Sequence, residues 1–450
     1  MEDQKKRAAV PLAKKMGISL VCGLGAGMFL LFLREVLNGS GKEAVWAVVN
    51  DLLFQDITAK GAERALGILY LIGQLFIRSL QLVIVPMVFT SITLAIGQIS
   101  DTRTLGRISA KTIGWFLICS FFALILGCGA GIGVYKAGLF QVQVEGLSGD
   151  GGSVGANPMN VILNVVPSNL ISAFGSNTSV LAVVFAAVCL GLCMNVLGEE
   201  KTCALRKLVQ EVNDVVVVFL NYVVTKFGPF AIFVLLTRTF ATYGIDYLKP
   251  ALAYVLVAVA MLLVFLAAGY PLVVALGARL NPFIFLKKIT NVAVFGFSTS
   301  SSAATLPLNY QTCTEEFGVD EAIASFVLPL GMTINMNGTA IMQVIATVFI
   351  AGCAGYDISL TQLVVVALLA LIASAGTPAA PGAGAIVLFT ILSGVGFVNE
   401  GALLAYSLIL AINRPIEMLV TALNVVGDAV TSICVARSEG CLDEEKYNKR

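Results

Sequence analysis

The chain has 450 residues, 58% of them hydrophobic and 12% charged, with a net charge of +1 and no histidine. An average soluble protein carries roughly 25% charged residues, so lipid is the main solvent of this chain. The missing histidine excludes histidine-based triads, zinc–histidine sites and imidazole proton relays, and no nucleic-acid partner is expected.

Hydrophobic runs cover 16–38, 65–99, 112–135, 180–198, 211–240, 250–278, 323–353, 362–375 and 402–412. Several reach the roughly 20 residues that a spanning helix needs. The first run is long and lacks a small-residue cleavage site, so it is expected to remain as a helix. Lys5, Lys6, Arg7, Lys14 and Lys15 stand at its start, and no Lys or Arg occurs over 137–200. The positive-inside rule then predicts a multi-pass protein of the cell membrane with a cytoplasmic N-terminus. Alternation also places inside Arg103, Arg107 and Lys111, then Lys201, Arg206 and Lys207, then Arg279, Lys287 and Lys288, and finally the tail from Arg437 to Arg450.

Up to about residue 280 few polar residues interrupt the spans, which reads as scaffold. The glycines of GLGAG (23–27) and GCGAG (127–131) suit close helix contact, and the ten cysteines read as small hydrophobes. The Gly- and Ser-rich segment 137–156 is expected to be an exposed loop. Beyond 280 two apolar segments are interrupted, 282–313 at STSSSAATLP (298–307) and 360–396 at SAGTPAAPGAG (374–384). Each precedes a helix with polar residues at membrane depth, 320–352 with TINMNGTA (333–340) and 401–436 with NRPIEMLVTALNVVGD (413–428). Non-helical backbone at that depth is tolerated only inside protein or along a watery cavity, and matched interruptions in two halves point to a transport site at the midplane.

At 100° per residue Asn413, Glu417, Val420, Thr421, Asn424 and Asp428 share one helix face. Buried carboxylates there need a cation, an amine or a donor network. Thr333, Asn335, Asn337 and Thr339 alternate with apolar residues, which predicts local unwinding and an oxygen cage suited to Na⁺; interhelical hydrogen bonding is the plainer alternative. The serines 300–302 at a break offer hydroxyls and free N–H groups to a carboxylate. An intramembrane aspartyl protease built on Asp357 and Asp428 is a competing reading of a different class, as is an uncoupled anion channel.

SSSAATLP (300–307), FVLPLG with TINMNGTA (326–340), SAGTPAAPGAG (374–384) and NVVGD (424–428) stand in an order and spacing that resemble the glutamate transporter family of dicarboxylate and amino acid:cation symporters. PMVFTSI (86–92) and LGRI (105–108) extend the likeness upstream. The resemblance implies an all-α membrane protein of eight spanning helices and two re-entrant hairpins with inverted repeats. It also implies a homotrimer working as an elevator, and no enzyme. The corresponding division is 1–110 for scaffold helices 1 and 2 with the start of helix 3, 111–136 for helix 3 of the transport domain and 137–249 for scaffold helices 4 and 5. Residues 250–436 form the rest of the transport domain, and 437–450 are a cytoplasmic tail.

Carried over by motif, the first sodium site comprises backbone carbonyls of Gly331, Asn335 and Asn424 with the Asp428 carboxylate. The second uses carbonyls of Thr333, Ser374, Ala375 and Thr377. The third departs from the family: its aspartate is Asn337, its tyrosine and threonine are Phe116 and Cys119, and Ser120 and Asn335 remain. Loss of the only carboxylate predicts a weak or absent third site. The substrate's α-carboxylate is expected on Ser302 and Asn424, helped by Thr421, Ser300, Ser301 and Ala380, with Thr339 and Gly384 nearby and Glu417 taking the ammonium. Family members with acidic substrates use an arginine where this chain has Val420, so a neutral amino acid is expected. Sodium is the expected driving ion. A proton carried on Glu417, and an acidic or C4-dicarboxylate substrate held by Arg414, are the alternatives within the class. Gln343, where some relatives have a proton-carrying glutamate, speaks against the usual proton route.

Overall fold

Apart from one isolated β-bridge, every regular element is helical in the computed structural model, which describes residues 12–58, 62–97, 103–141, 166–175, 179–244, 248–375, 377 and 383–449. The first half forms α1 (Leu12–Gly39), α2 (Glu43–Leu53), α3 (Ile68–Leu82), α4 (Ile84–Gly97), α5 (Arg103–Lys136), α6 (Leu170–Phe174), α7 (Val180–Leu197), α8 (Glu199–Tyr222) and α9 (Gly228–Tyr243). The second half forms α10 (Leu248–Val264), α11 (Tyr270–Val273), α12 (Pro282–Thr299), α13 (Ser302–Gln311), α14 (Glu321–Ile334) and α15 (Asn337–Cys353). It continues with α16 (Leu360–Ala375), α17 (Ala383–Val395), α18 (Glu400–Ile412), α19 (Arg414–Glu439) and α20 (Glu444–Asn448). Most of the loop expected at 137–156 lies outside the described residues, as do Lys5, Lys6, Arg7 and Ala380.

Among the described residues seven helical stretches are long and apolar enough to cross a membrane. A shorter apolar helix, Ala182–Leu197, stands where the fourth of eight expected spans falls. Contacts gather the helices into two neighbourhoods. In one, α1 packs along α9, and α4 packs on α7 and α8; in the other, α5, α10 and α12 to α18 surround α15 and α19. Small residues make the closest seams: Gly23 and Gly27 of α1 face Phe233, Leu236 and Phe240, and Gly127 and Gly131 of α5 face Ile341, Val344 and Val348. A side chain at Gly27 would collide with the Phe240 Cβ, so the packing role expected of these glycines fits their surroundings.

The two helical stretches that carry polar residues at membrane depth in the second half are the innermost. The most apolar stretch within Glu321–Cys353 is 100% buried and that within Arg414–Glu439 is 89% buried, against 11% for Gly17–Gly39. Polar groups that lipid would penalise are therefore surrounded by protein.

Three chain breaks position those groups. Ser300, at φ +49°, ends α12, and the Ser301 hydroxyl accepts the Ala304 N–H to start α13. Asn335 and Met336 leave the helical region between α14 and α15, the unwinding expected from TINMNGTA. The single helix expected over 401–436 is two helices, α18 and α19, meeting at Asn413. Pro415 in the first turn of α19 brings no N–H, which accounts for the division.

The C-terminal residues are folded onto both ends of the interrupted segment 282–313, at Asn281 and Lys288 and at Glu316–Asp320. Leu442 bridges Val319, the Asp443 N–H donates to the Gly318 carbonyl at 2.8 Å, and the Asp320 N–H donates to the Cys441 carbonyl at 3.2 Å. Tyr447 is fully buried, 5.8 Å from the Phe317 ring, and its hydroxyl donates to the Asn281 carbonyl at 2.9 Å. The Lys288 ammonium donates to the carbonyls of Glu316, Lys446 and Tyr447 at 2.8–2.9 Å. Glu439 takes Arg107 at 2.6 Å and Lys111 at 2.5 Å, so three of the basic clusters expected on the cytoplasmic side meet at one end of the bundle.

Truncating the buried ring in Tyr447→Ala removes this anchor at a cost of about 3–5 kcal/mol. The expected outcome is faster maleimide labelling of Cys313, which is buried at the end of the same segment. Labelling at the wild-type rate would show that the tail does not hold it.

Candidate functional site

The site is built where the break between α14 and α15 meets the middle of α19. Opening the helix at Asn335 and Met336 frees peptide groups from the i to i−4 ladder, and side chains of α19 supply partners. The Asn424 Oδ1 accepts the Gly338 N–H at 2.8 Å, while its Nδ2 donates to Thr339 Oγ1 at 3.1 Å and Met336 Sδ at 3.2 Å. A Cβ at Gly338 would meet the Val420 carbonyl and Asn424, and one at Gly331 would strike the Asp428 carboxylate, so both approaches require glycine.

Asp428 is 3% exposed. Its carboxylate accepts one hydrogen bond, from Asn335 Nδ2 at 3.0 Å, and among the described residues no Lys or Arg pairs with it. A buried carboxylate with one neutral donor is strongly disfavoured unless a metal cation joins it or it takes up a proton. Of the residues expected at the first ion site, Gly331 lies against the Asp428 carboxylate and Asn335 donates to it, while the Gly331 carbonyl accepts the Asn335 N–H at 2.8 Å.

The third-site residues are assembled differently. Asn337, fully buried, donates through Nδ2 to Asn335 Oδ1 at 2.8 Å and to the Tyr270 hydroxyl at 3.0 Å, and its Oδ1 accepts from Ser120 Oγ at 2.7 Å. Both amide hydrogens point at oxygens that would otherwise be free for a metal ion. Phe116 and Cys119 are buried without oxygen to offer. For the second set, Thr333 lies in the last turn of α14 and Ser374 and Ala375 in the last turn of α16, two helices in contact. The Ser374 carbonyl accepts the Thr377 N–H at 3.0 Å, and the remaining carbonyls of two helix ends concentrate partial negative charge.

Ser300, Ser301 and Ser302 form the break of the first interrupted pair. The α12–α13 pair is tied to α19 by Asn309, whose Nδ2 donates to the Val425 carbonyl at 2.8 Å, and by Gly296 against Ala422 and Val425. Gly384 lies against Thr339 and Met342, and its carbonyl accepts Gln343 Nε2 at 3.1 Å. The Thr421 hydroxyl donates to the Glu417 carbonyl, and Val420 is buried, 5% exposed. Glu417 Oε1 accepts the Ala385 N–H at 3.2 Å, which fixes α17 to α19.

Arg414, the residue of the alternative acidic-substrate reading, has a side chain 12% exposed that lies 3.6 Å from the Glu417 carboxylate. One competing reading is corrected. The aspartyl dyad does not form: Asp357 is exposed in the turn after α15, whereas Asp428 is buried in α19. Tyr270 and Tyr254 were not foreseen. Tyr254 donates to Asn413 Oδ1 at 2.6 Å, and a tyrosine in an apolar span gives no sign of which distant amide it will meet.

Residues 12–438 match the sodium:dicarboxylate symporter family, and the chain belongs to it. It is 30% identical over 382 residues to the proton/sodium-glutamate symport protein of Bacillus caldotenax, an alignment covering 83% of this chain and 89% of that one. It is 30% identical over 383 residues to the proton/glutamate-aspartate symporter of Escherichia coli, covering 83% and 86%. The C4-dicarboxylate transport protein of Bacillus subtilis is 27% identical over 383 residues, covering 83% and 88%. The chain is thus a multi-pass membrane protein of a cation-coupled transporter family.

Asn337→Asp puts a carboxylate among Ser120, Asn335 and the Tyr270 hydroxyl and removes the amide donors. Sodium is then expected to raise the melting temperature by several degrees more than in the wild type, because a ligand that binds only the folded state stabilises it. An unchanged sodium response would show that Asn337 does not stand in for an ion.

Proposed function

We propose that this chain is a sodium-coupled symporter or exchanger of a neutral amino acid. The observation that carries sodium coupling is Asp428, a buried carboxylate beside a broken helix with, among the described residues, a single amide partner and no cationic side chain. Hard oxygens around a dehydrated carboxylate suit a small monovalent ion, and the free carbonyls of two helix ends provide a second place for one. Asn337 leaves no third place, so two ions accompany each substrate.

The substrate lies between the serine break and α19. Ser302 and Asn424 take its α-carboxylate, with Ser300, Ser301, Thr421 and Ala380 assisting. Glu417 takes the ammonium, and Thr339, Gly384 and Val420 border the side chain. An acidic side chain against Val420 would keep an unpaired charge in a dry site, which favours a neutral one. The relatives named above carry glutamate, aspartate or C4-dicarboxylates by their names, and two buried nitrogens of Arg414 without acceptors support an acidic substrate as the second reading. The angular offset of Arg414 from Val420 and the roughly 9 Å between them along the helix favour the neutral reading.

Around this site we place eight spanning helices and two re-entrant hairpins, a scaffold of 1–110 and 137–249 and a transport domain of 111–136 and 250–436. The domain moves as an elevator in a homotrimer of the cell membrane, with both termini cytoplasmic. The uneven burial of the spans and the clustering of basic residues at one end support this arrangement.

The test is uptake of a panel of labelled amino acids and C4-dicarboxylates into proteoliposomes under Na⁺, K⁺ and pH gradients imposed in turn. Neutral amino acids driven by sodium are expected; aspartate uptake that ignores neutral competitors, or transport indifferent to sodium, contradicts the reading. Val420→Arg is expected to shift preference toward aspartate or glutamate by about tenfold or more in relative kcat/KM, since a bidentate guanidinium meets the second carboxylate.

A further inference from the structure

Arg414 and Glu417 form a buried ion pair that is not locked. The closest approach, Nη1 to Oε2, is 3.6 Å, with side chains 12% and 10% exposed. The guanidinium Nε and Nη1 are buried and donate to nothing. A structural arginine is ordinarily held by several acceptors in a fork, often two from one carboxylate. Through those two nitrogens this one is held by charge at a distance beyond a normal hydrogen bond.

Glu417 is fixed from the other side, by the Ala385 N–H on Oε1. The ionisable groups facing it from other helices are Tyr254 of α10 and Tyr406 of α18, both neutral phenols bonded elsewhere: Tyr254 to Asn413, and Tyr406 to the Ile386 carbonyl at 3.4 Å. Among the described residues Arg414 is therefore the one cationic side chain paired with Glu417.

We propose that Arg414 is the built-in counter-cation of Glu417, balancing the carboxylate while the site is without substrate and giving way to the substrate's ammonium group. The inference rests on the reading that Glu417 receives the amine. A substrate ammonium and a guanidinium are like charges competing for one carboxylate, so arrival of one displaces the other, and the free donors on Arg414 show that displacement breaks no hydrogen bond of theirs. The carrier without substrate then keeps its site charge-balanced and reorients without a proton or another ion on Glu417. Arg414 is in this sense a positioning residue that separates net uptake from exchange.

The full chain in proteoliposomes tests this in two modes, net uptake into vesicles without internal substrate and exchange against saturating internal substrate, which never visits the substrate-free carrier. In Arg414→Gln net uptake is expected to fall at least about tenfold while exchange persists with a lower KM, because an unpaired buried carboxylate burdens only the substrate-free form. Arg414→Lys, which keeps the charge, restores net uptake. A proportional loss of both modes in Arg414→Gln, or no loss of net uptake, overturns the proposal. If Arg414→Gln does not reach the membrane, Arg414→Lys decides: a wild-type ratio of net uptake to exchange supports the proposal and a collapsed ratio overturns it. Absence of any sodium-driven amino acid transport by the wild type would defeat the functional reading itself, whereas wild-type transport with an unchanged ratio in Arg414→Gln defeats only this inference.

Discussion

A carboxylate buried inside the bundle constrains everything around it. Asp428 sits in the middle of α19 with one amide for company, and the chain opens a helix beside it at Asn335 and Met336. Glycine at 331 and 338 lets the two backbones close on the carboxylate and on Asn424. Because unpaired peptide groups and charges are costly in lipid, α14, α15 and α19 must be wrapped by the remaining helices, and the interrupted pairs α12–α13 and α16–α17 complete the wrapping. The outer helices can then expose apolar surface freely, and they do.

Three oxygen-rich positions meet the same electrostatic demand in three ways. At Asp428 the carboxylate has one amide donor and, among the described residues, no cationic side chain, and the proposed sodium ion would supply the balancing charge. At Asn337 the side-chain amide itself occupies the oxygens, donating to Asn335 and Tyr270. At Glu417 a guanidinium stands beside the carboxylate without hydrogen-bonding it. A group that is hydrogen-bonded into place resists exchange with a solute, and one that is only near its partner does not. That difference separates the filled site from the replaceable one.

Much of this was legible in the residues. Runs of apolar sequence marked the spans, the serines at 300–302 marked one break, and the alternating polarity of TINMNGTA marked another, because polar groups at membrane depth have few structural explanations. The face of α19 carrying Glu417, Thr421, Asn424 and Asp428 followed from helical spacing alone. What escaped was long-range. Tyr270 meets Asn337 across 67 positions and Tyr254 meets Asn413 across 159, and no local pattern encodes such pairs. Pro415 was a visible signal for dividing 401–436, outweighed by the apolar continuity on either side. The packing of the tail expected over 437–450 is not visible in the residues either, since a single tyrosine among charges does not announce that it fills a pocket between Asn281 and Phe317. The pairing of Arg414 with Glu417 depends on how α18 turns into α19, which no local pattern shows.

The central claim is that two cations, one of them on Asp428, travel with each substrate because the Asn337 amide fills the third position. Parallel measurement of labelled sodium and labelled substrate entering the same proteoliposomes tests it most directly. The account predicts two sodium ions per substrate in the wild type and loss of sodium flux in Asp428→Asn; a ratio of three, or sodium flux that survives Asp428→Asn, would contradict it.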